Sequence, residues 1–368
     1  MKSLTLSPGP IHLGMDTSKD AIVVGILRPG EEIPVVDRIF NDEPSIRRLI
    51  GRFPDRGALR TCYEAGPGGF ELYRLLISMK VACDVVAPAL VPKGAADRVK
   101  TDRRDAMRLA RLHRAGELTP IRVPSPAEEA VRDLVRARAD LLADRKRAKQ
   151  RITSLLMRHG RIWRQGVKWT AVHRQWVQAQ RFEEPALSST YQHYLAALQA
   201  REAELAALEK VLLPWAGREP LAGAVHRLIA YRGIAELTAL TLASEVVDWR
   251  RFPSARAFMG FTGLTPSEYS SGERSRRGHI TKAGPADVRT ALTEAAWADQ
   301  FRPAVGAPLR RRQAGASPAT VARAWSAQQR LCAKFRQMTG PGKRPSPVAV
   351  TAVARELAGF VWAEMTSE

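Results

Sequence analysis

Cysteine is scarce in this chain, with three in 368 residues, Cys62, Cys83 and Cys332. Their odd number excludes a fully paired disulfide framework, and they lack metal-ligand spacing. Cys62 and Cys83 lie in apolar runs and read as small core residues of a reducing compartment. Long apolar runs are also missing. No stretch approaches the roughly 20 residues that span a bilayer. The opening Met-Lys-Ser-Leu-Thr-Leu-Ser-Pro-Gly-Pro lacks the apolar centre of a signal peptide. A cytoplasmic, nucleoid-associated protein without membrane contact is the expectation. Acid is in deficit as well: 37 Asp and Glu stand against 58 Lys and Arg, a formal charge of +21. Such a surplus implies a polyanionic partner, because neutralising phosphates releases their counterions.

An apolar content of 45% supports a globular chain, and the length suits two or three domains. Residues 11–125 alternate in type. Ile11–Met15, Ala21–Leu27, Pro34–Phe40, Leu59–Tyr63 and Cys83–Pro88 read as strands, with helices near 43–52, 68–80 and 101–115. The first three strands are closely spaced and predict an antiparallel meander. Later strands are separated by helices, which predicts parallel crossovers. This α/β order suits a ribonuclease-H-like fold, and an actin-like nucleotide-binding fold begins the same way. The expected division is 1–125, a helical linker over 126–215, and a mostly helical domain over 216–368.

Ser125-Pro126-Ala127-Glu128 carries the signature of a capping box. Leu134, Leu141, Ala148 and Leu155 follow at seven-residue spacing, as do Tyr191, Leu198, Leu205 and Leu212. Two such seams predict an antiparallel helical hairpin or a dimerising coiled coil, with packing onto the same domain as the alternative. Between them, Trp163, Trp169 and Trp176 stand among Lys and Arg, where aromatics either stack bases or cover a core. The run Leu228–Glu245 resembles a helix-hairpin-helix, in which Gly233 and nearby N–H groups face a phosphate; an ordinary helix turn is the alternative. Beyond Asp299 the chain has eleven Lys and Arg and no acid until Glu356, including Arg310, Arg311 and Arg312. Such a run repels itself unless an anion sits on it. Val348–Met365 reads as an amphipathic helix.

Four acids stand out against this basic background. Asp16 and Glu64 close apolar strand-like runs, and Asp102 and Asp105 lie three apart at a helix start, on one face. Carboxylates from two strand ends and one helix turn suit a hard divalent cation, which prefers oxygen ligands. Lys100, Arg103 and Arg104 offer the competing explanation, offsetting the repulsion between Asp102 and Asp105 without any metal.

The stretches Gly14-Met-Asp-Thr-Ser-Lys, Tyr63-Glu-Ala, Lys100-Thr-Asp-Arg-Arg-Asp-Ala, Arg232-Gly-Ile, Gly263-Leu-Thr-Pro-Ser, Ser271-Gly and Arg277-Gly-His-Ile-Thr-Lys resemble the DEDD-type transposases of bacterial insertion sequences, also described as bridge-RNA-guided recombinases. The resemblance runs from about Gly14 to about Met365, with the motifs in family order. It implies a Holliday-junction-resolvase-like first domain with Asp16, Glu64, Asp102 and Asp105 as catalytic metal ligands, and Mg²⁺ as the cofactor, with Mn²⁺ as a substitute. It also implies a helical linker, a last domain carrying a serine nucleophile, donor and target DNA, a guide RNA and a homo-oligomer, dimer or tetramer. The matching serine is Ser271, with Ser270 the alternative, and it would form a phosphoserine link to DNA. Acids and serine would make a composite site, within one chain or between subunits. Arg274, Arg276, Arg277 and Lys282 are the cations near that serine. Lys282-Ala-Gly284-Pro285 lacks the Asn that usually follows this glycine in the family.

Three other readings compete: a Holliday-junction-type endonuclease in which the acids hydrolyse DNA directly, an actin-like ATPase or sugar kinase using Gly14–Lys19 and Gly66–Gly69, and a non-catalytic nucleic-acid-binding protein.

Overall fold

Strand β1 (Ile11–Thr17), β2 (Ala21–Leu27) and β3 (Val35–Phe40) form an antiparallel meander. Asp42 caps helix α1 (Glu43–Gly51) by accepting the Ser45 N–H at 2.7 Å. Then β4 (Leu59–Glu64), α2 (Glu71–Ser78), β5 (Ala82–Val86) and α3 (Asp102–Ala115) complete a unit spanning Met1–Val123. The computed structural model describes residues 9–88, 91–92, 101–268, 277–340 and 342–367. The sheet order is β3-β2-β1-β4-β5, with β4 parallel to both β1 and β5. This is the expected meander with parallel crossovers, a ribonuclease-H-like arrangement.

The sheet is covered on both faces. On one, Leu13, Met15, Ile22, Val24 and Tyr63 pack with Ile46, Leu49 and Ile50 of α1 and Leu76 of α2. On the other lies α3, whose Leu109 joins Cys62 and Val86 in a smaller core. All of β2 is therefore buried, as its apolar run Ala-Ile-Val-Val-Gly-Ile-Leu requires.

The second unit spans Pro124–Glu368. Its first helix, α4 (Pro126–Arg158), has the predicted capping box: Ser125 N donates to Glu128 Oε2 at 2.7 Å and Glu128 N to Ser125 Oγ at 3.3 Å. Helix α5 (Ala171–Ala179) follows, then α6 (Pro185–Leu212). The pairs Arg138–Glu209 (2.7 Å) and Lys149–Glu202 (4.0 Å) show α4 and α6 running antiparallel. All four seam residues of α6, Tyr191, Leu198, Leu205 and Leu212, are buried. On α4, Ala148 and Leu155 are buried while Leu134 and Leu141 are half-buried.

After a 3₁₀ turn (Leu213–Gly217) come α7 (Ala222–Leu228), α8 (Glu236–Val246), α9 (Ala255–Phe261), β6 (Pro266–Glu268), β7 (Arg277–Ile280) and α10 (Ala286–Ala296). A second 3₁₀ turn (Trp297–Gln300) precedes α11 (Ala307–Gln313), α12 (Pro318–Met338) and α13 (Ser346–Thr366). Helix α13 is central: Val350, Val353, Ala354, Leu357 and Val361 are buried in one core with residues of α8, α10 and α12. Val131 and Val135 of α4 and Leu212 of α6 join that core. The helical linker thus continues into the last domain without a break in packing.

The basic run after Asp299 does not stand uncompensated. Glu364 of α13, fully buried, accepts Arg323 Nε at 2.6 Å and Arg227 Nε at 2.9 Å. Glu356 pairs with Arg330 at 3.3 Å and with Lys334. Acids from beyond the run fold back on it, which a local reading of charge does not reveal.

Candidate active site

Strand register brings two of the four acids together. Met15 pairs with Tyr63 across the parallel β1–β4 ladder, so Asp16 and Glu64 follow one step on at neighbouring strand ends. Both strands extend through the acid. Side chains alternate along a strand, so Asp16 shares a face with Gly14, and Glu64 with Cys62. That face carries α3. Cys62 Sγ lies 3.7 Å from the Leu109 carbonyl, and a Cβ on Gly14 would meet Ala110 N, Ala106 O and Leu109 C, the last at 2.8 Å.

The direction of α3 is equally defined. His113, at its end, contacts His12 near the start of β1, with ring centroids 5.0 Å apart. Ala106 and Ala110 lie over Gly14 and its cross-strand partner Gly25. The first turn of α3 therefore points toward the strand end that carries Asp16. Asp102, Asp105, Leu109 and Leu112 fall on one stripe by their three- and four-residue spacing. The lower half of that stripe packs on Cys62 and Val86, and the acids prolong it toward the Asp16 end of β1. Thr101 starts the helix by accepting the Arg104 N–H at 3.3 Å. Acids in a first turn also complement the helix dipole, which helps both carboxylates to stay there.

Glycine permits this arrangement. Gly14 and Gly25 pair directly, and each meets helix backbone where a side chain would stand. Gly25 was not singled out from the sequence, although a glycine inside an apolar strand is the usual sign of close backbone approach.

The donor set is all oxygen, as a hard cation requires. Asp105 Oδ2 is buried and has no hydrogen-bond partner among the described residues, a costly state for an anionic oxygen unless a cation satisfies it. Asp16 and Glu64 are half-buried and Asp102 is exposed. Among the described residues, no three His, Cys, Asp or Glu stand close enough together to hold a metal ion. The acids thus share a face and an end of the sheet, in an open arrangement.

The remaining predicted residues fall in the second unit. Ser270, Ser271, Gly272, Arg274 and Arg276 lie outside the described residues, as does the side chain of Arg277, whose backbone opens β7. β6 and β7 pair antiparallel, Lys282 N donates to Gly263 O at 3.0 Å, and the Lys282 side chain is exposed. Gly263 packs on Ala283 and Gly284 on Phe261, so the two chain segments meet backbone to backbone. Gly233 has φ +81°, and a Cβ there would meet Ala295, its carbonyl carbon at 2.8 Å. Its need for glycine is thus explained by packing on the end of α10. Arg310 and Arg311 are exposed on α11, whereas Arg312 Nε donates to the Ile229 carbonyl at 3.0 Å.

The tryptophan-rich segment is self-packed. Trp163 contacts His173 and Trp176, with centroids 5.3 and 5.5 Å away, and Arg161 lies 4.1 Å over Phe182. Trp169, Trp176 and Phe182 cover the core formed by Ile152, Leu155 and Tyr191. The core-covering role accounts for them.

The actin-like reading shares this sheet order, but its glycines do not favour it. Gly14 lies mid-strand beneath α3, with no room for a phosphate. Gly66, Gly68 and Gly69 line a cleft of about 340 Å³ that also presents Asp42, Glu43 and Glu71, a setting hostile to phosphate.

A ribonuclease-H-like unit bearing acids at its strand ends, followed by a basic helical unit, defines a class of DNA-processing enzyme. A family model described as a transposase, of the DEDD type found in the IS110 group, matches residues 13–160. A second, described as the transposase IS116/IS110/IS902 family, matches residues 225–307. The Sinorhizobium fredii (strain NBRC 101917 / NGR234) protein named "Putative transposase y4qE" is 40% identical over 354 residues, 95% of this chain and 87% of its own length. The transposase for insertion sequence element IS1533 of Leptospira borgpetersenii is 31% identical over 340 residues, 91% of this chain and 98% of its own. The chain belongs to the IS110/IS116 family of DEDD-type insertion-sequence transposases. It is accordingly a DNA transposase, and its DEDD-type domain points to use of a divalent metal.

Proposed function

We propose that this transposase cuts and rejoins DNA through a phosphoserine intermediate, with Mg²⁺ held by Asp16, Glu64, Asp102 and Asp105 and sequence choice delegated to a guide RNA. The observation that carries the metal-binding part is the shared placement of the four acids, two at adjacent strand ends and two on the helix stripe above the same face. The buried, unsatisfied Asp105 Oδ2 supports a cation there. When bound, the ion supplies positive charge to the phosphodiester as negative charge builds on its oxygens.

This chain's own groups do the rest. Ser271 Oγ bonds to phosphorus as the P–O3′ bond breaks, and the serine proton is passed to the departing 3′ oxygen, which leaves as a hydroxyl. Arg274, Arg276, Arg277 and Lys282 hold the phosphate. A hydroxyl from the second DNA then attacks the phosphoserine, restoring Ser271 and a phosphodiester without net hydrolysis. Donor and target DNA are the substrates, and a dimer or tetramer brings them together.

Two substitutions test this. Asp16→Asn is expected to lower strand transfer about a thousandfold, several kcal/mol of lost charge stabilisation, at unchanged melting temperature. Ser271→Ala is expected to abolish covalent protein–DNA adducts and joining. Joining that survives in Ser271→Ala would favour direct transesterification at the acids, in which a DNA hydroxyl attacks the phosphodiester as the P–O3′ bond breaks, or Ser270 as nucleophile. Sequencing RNA purified with the protein tests the guide, and a single discrete transcript is the expected result.

A further inference from the structure

The face that carries the acids extends sideways to the sheet edge. Cross-strand partners in an antiparallel pair share a face. Asp16 pairs with Val23, and Val23 with Arg38. Arg38 therefore lies on the acid face, two strands or about 10 Å from Asp16. Phe40, two residues on, shares that face, pairs with Ala21, and is 71% exposed. Strand β3 is the sheet edge, and Val23, between Arg38 and Asp16 on this face, is buried.

Round that edge, Arg38, Phe40, Ser45, Arg48, Arg52 and Asp20 line a cleft of about 460 Å³. Arg52 pairs with Asp37, and Arg48 Nη2 donates to Ser45 Oγ at 2.9 Å. Each guanidinium has five N–H donors, so most remain for a ligand. Three cations beside a flat, exposed ring combine the two recognition elements of unpaired nucleic acid: charge for the backbone and an aromatic face for a base.

We propose that this cleft binds a single strand of nucleic acid, with phosphates on Arg38 and Arg48 and a base stacked on Phe40. The inference deepens the transposase reading and rests on it: the cleft wraps the β3 edge of the unit that carries the acids, with Arg38 on the acid face and Arg48 on the α1 side. An exposed Phe on a strand edge would also suit a protein partner, but three arginines favour a polyanion.

The test uses the full chain and a labelled single-stranded oligonucleotide of mixed sequence, titrated at several salt concentrations. The Arg38→Ala/Arg48→Ala double variant is expected to flatten the slope of log affinity against log salt by about 1.4, two phosphate contacts at about 0.7 each. Arg38→Lys is expected to keep its share of that slope. Phe40→Ala is expected to weaken binding about tenfold with the slope unchanged. All three side chains are exposed, and melting curves check that the variants fold. Unchanged affinity and slope in the arginine variant would overturn the proposal. So would a Phe40→Ala variant that binds normally but changes oligomeric state in sedimentation. Asp16→Asn separates the two readings: lost strand transfer with intact oligonucleotide binding keeps the acid site whatever happens at the cleft, and retained transfer removes the acid site while leaving the cleft to its own measurement.

Discussion

In the first unit, carboxylates stand at strand ends and along a helix start, and one of them, Asp105, has a buried oxygen without a hydrogen bond among the described residues. In the second, Glu364 is fully buried and accepts bonds from Arg227, Arg323, Thr320 and Tyr231. Burial alone would raise the Glu364 pKa, but the bonds from Arg323, Thr320 and Arg227 hold it down at about 2. Similar groups thus serve opposite ends. One set is held in place by backbone and left open to chemistry; the other is closed off by its partners and stabilises a helix bundle. A carboxylate with complete partners has little left to offer a ligand.

The sharpest way to break this contrast is to disturb the backbone that sets the acids. Gly14→Val is expected to destabilise the first unit by about 3 kcal/mol or more, because the added carbons meet helix main chain that cannot rotate away. Its calorimetric transition should fall or vanish while the helical unit still melts. Next in size, Glu364→Ala is expected to cost about 3 kcal/mol in the second unit, measured by urea unfolding. The value sits at the lower end of the range for broken buried pairs because Arg227 and Arg323 are roughly one-third exposed and reach water.

Smaller effects follow pH, with opposite signs in the two units. Burial, and then the nearby His113, lower the His12 pKa to about 4. A base whose folded-state value is depressed favours the folded chain least once the unfolded chain takes up its proton. Stability of the first unit should therefore fall as pH drops from about 6.5 to about 4, and His12→Gln should remove that part of the slope. Asp299 is the converse: burial raises its pKa to about 7, and its Oδ2 has no hydrogen-bond partner among the described residues. Its contribution is complete below the ordinary carboxylate value and is lost as pH rises to about 7. Asp299→Asn is expected to raise the melting temperature at pH 8 relative to pH 4.

Much of the first unit was legible because its strands are short apolar runs bounded by turn residues, and all five fall within two residues of their expected limits at either end. Helix α2 starts at Glu71 rather than at 68, since Gly68 and Gly69 complete a turn first. The acids were legible as a set through their motifs, and their common face then followed from strand register. The open spacing of the quartet was not, because distances between side chains on different elements leave no trace in one sequence. In the second unit, the capping box at Ser125 is local and was readable. The pairing of Arg323 with Glu364 links residues 41 apart, so the basic run looked self-repelling until α13 was in place. Gly233 shows the same limit: its motif was visible, but its contact with Ala295 lies 62 residues away.

The seating of α3 on two bare glycines has a consequence for how such an enzyme diversifies. A helix resting on side chains can be raised or tilted by exchanging one rotamer or methyl group for another. This one rests on main chain, so there is no adjustable spacer between Asp105 and the strand that carries Asp16. Under the proposed role of the acids, exchanges at the rim of the sheet or in the appended helices leave that gap unchanged, whereas a side chain added at Gly14 or Gly25 alters it.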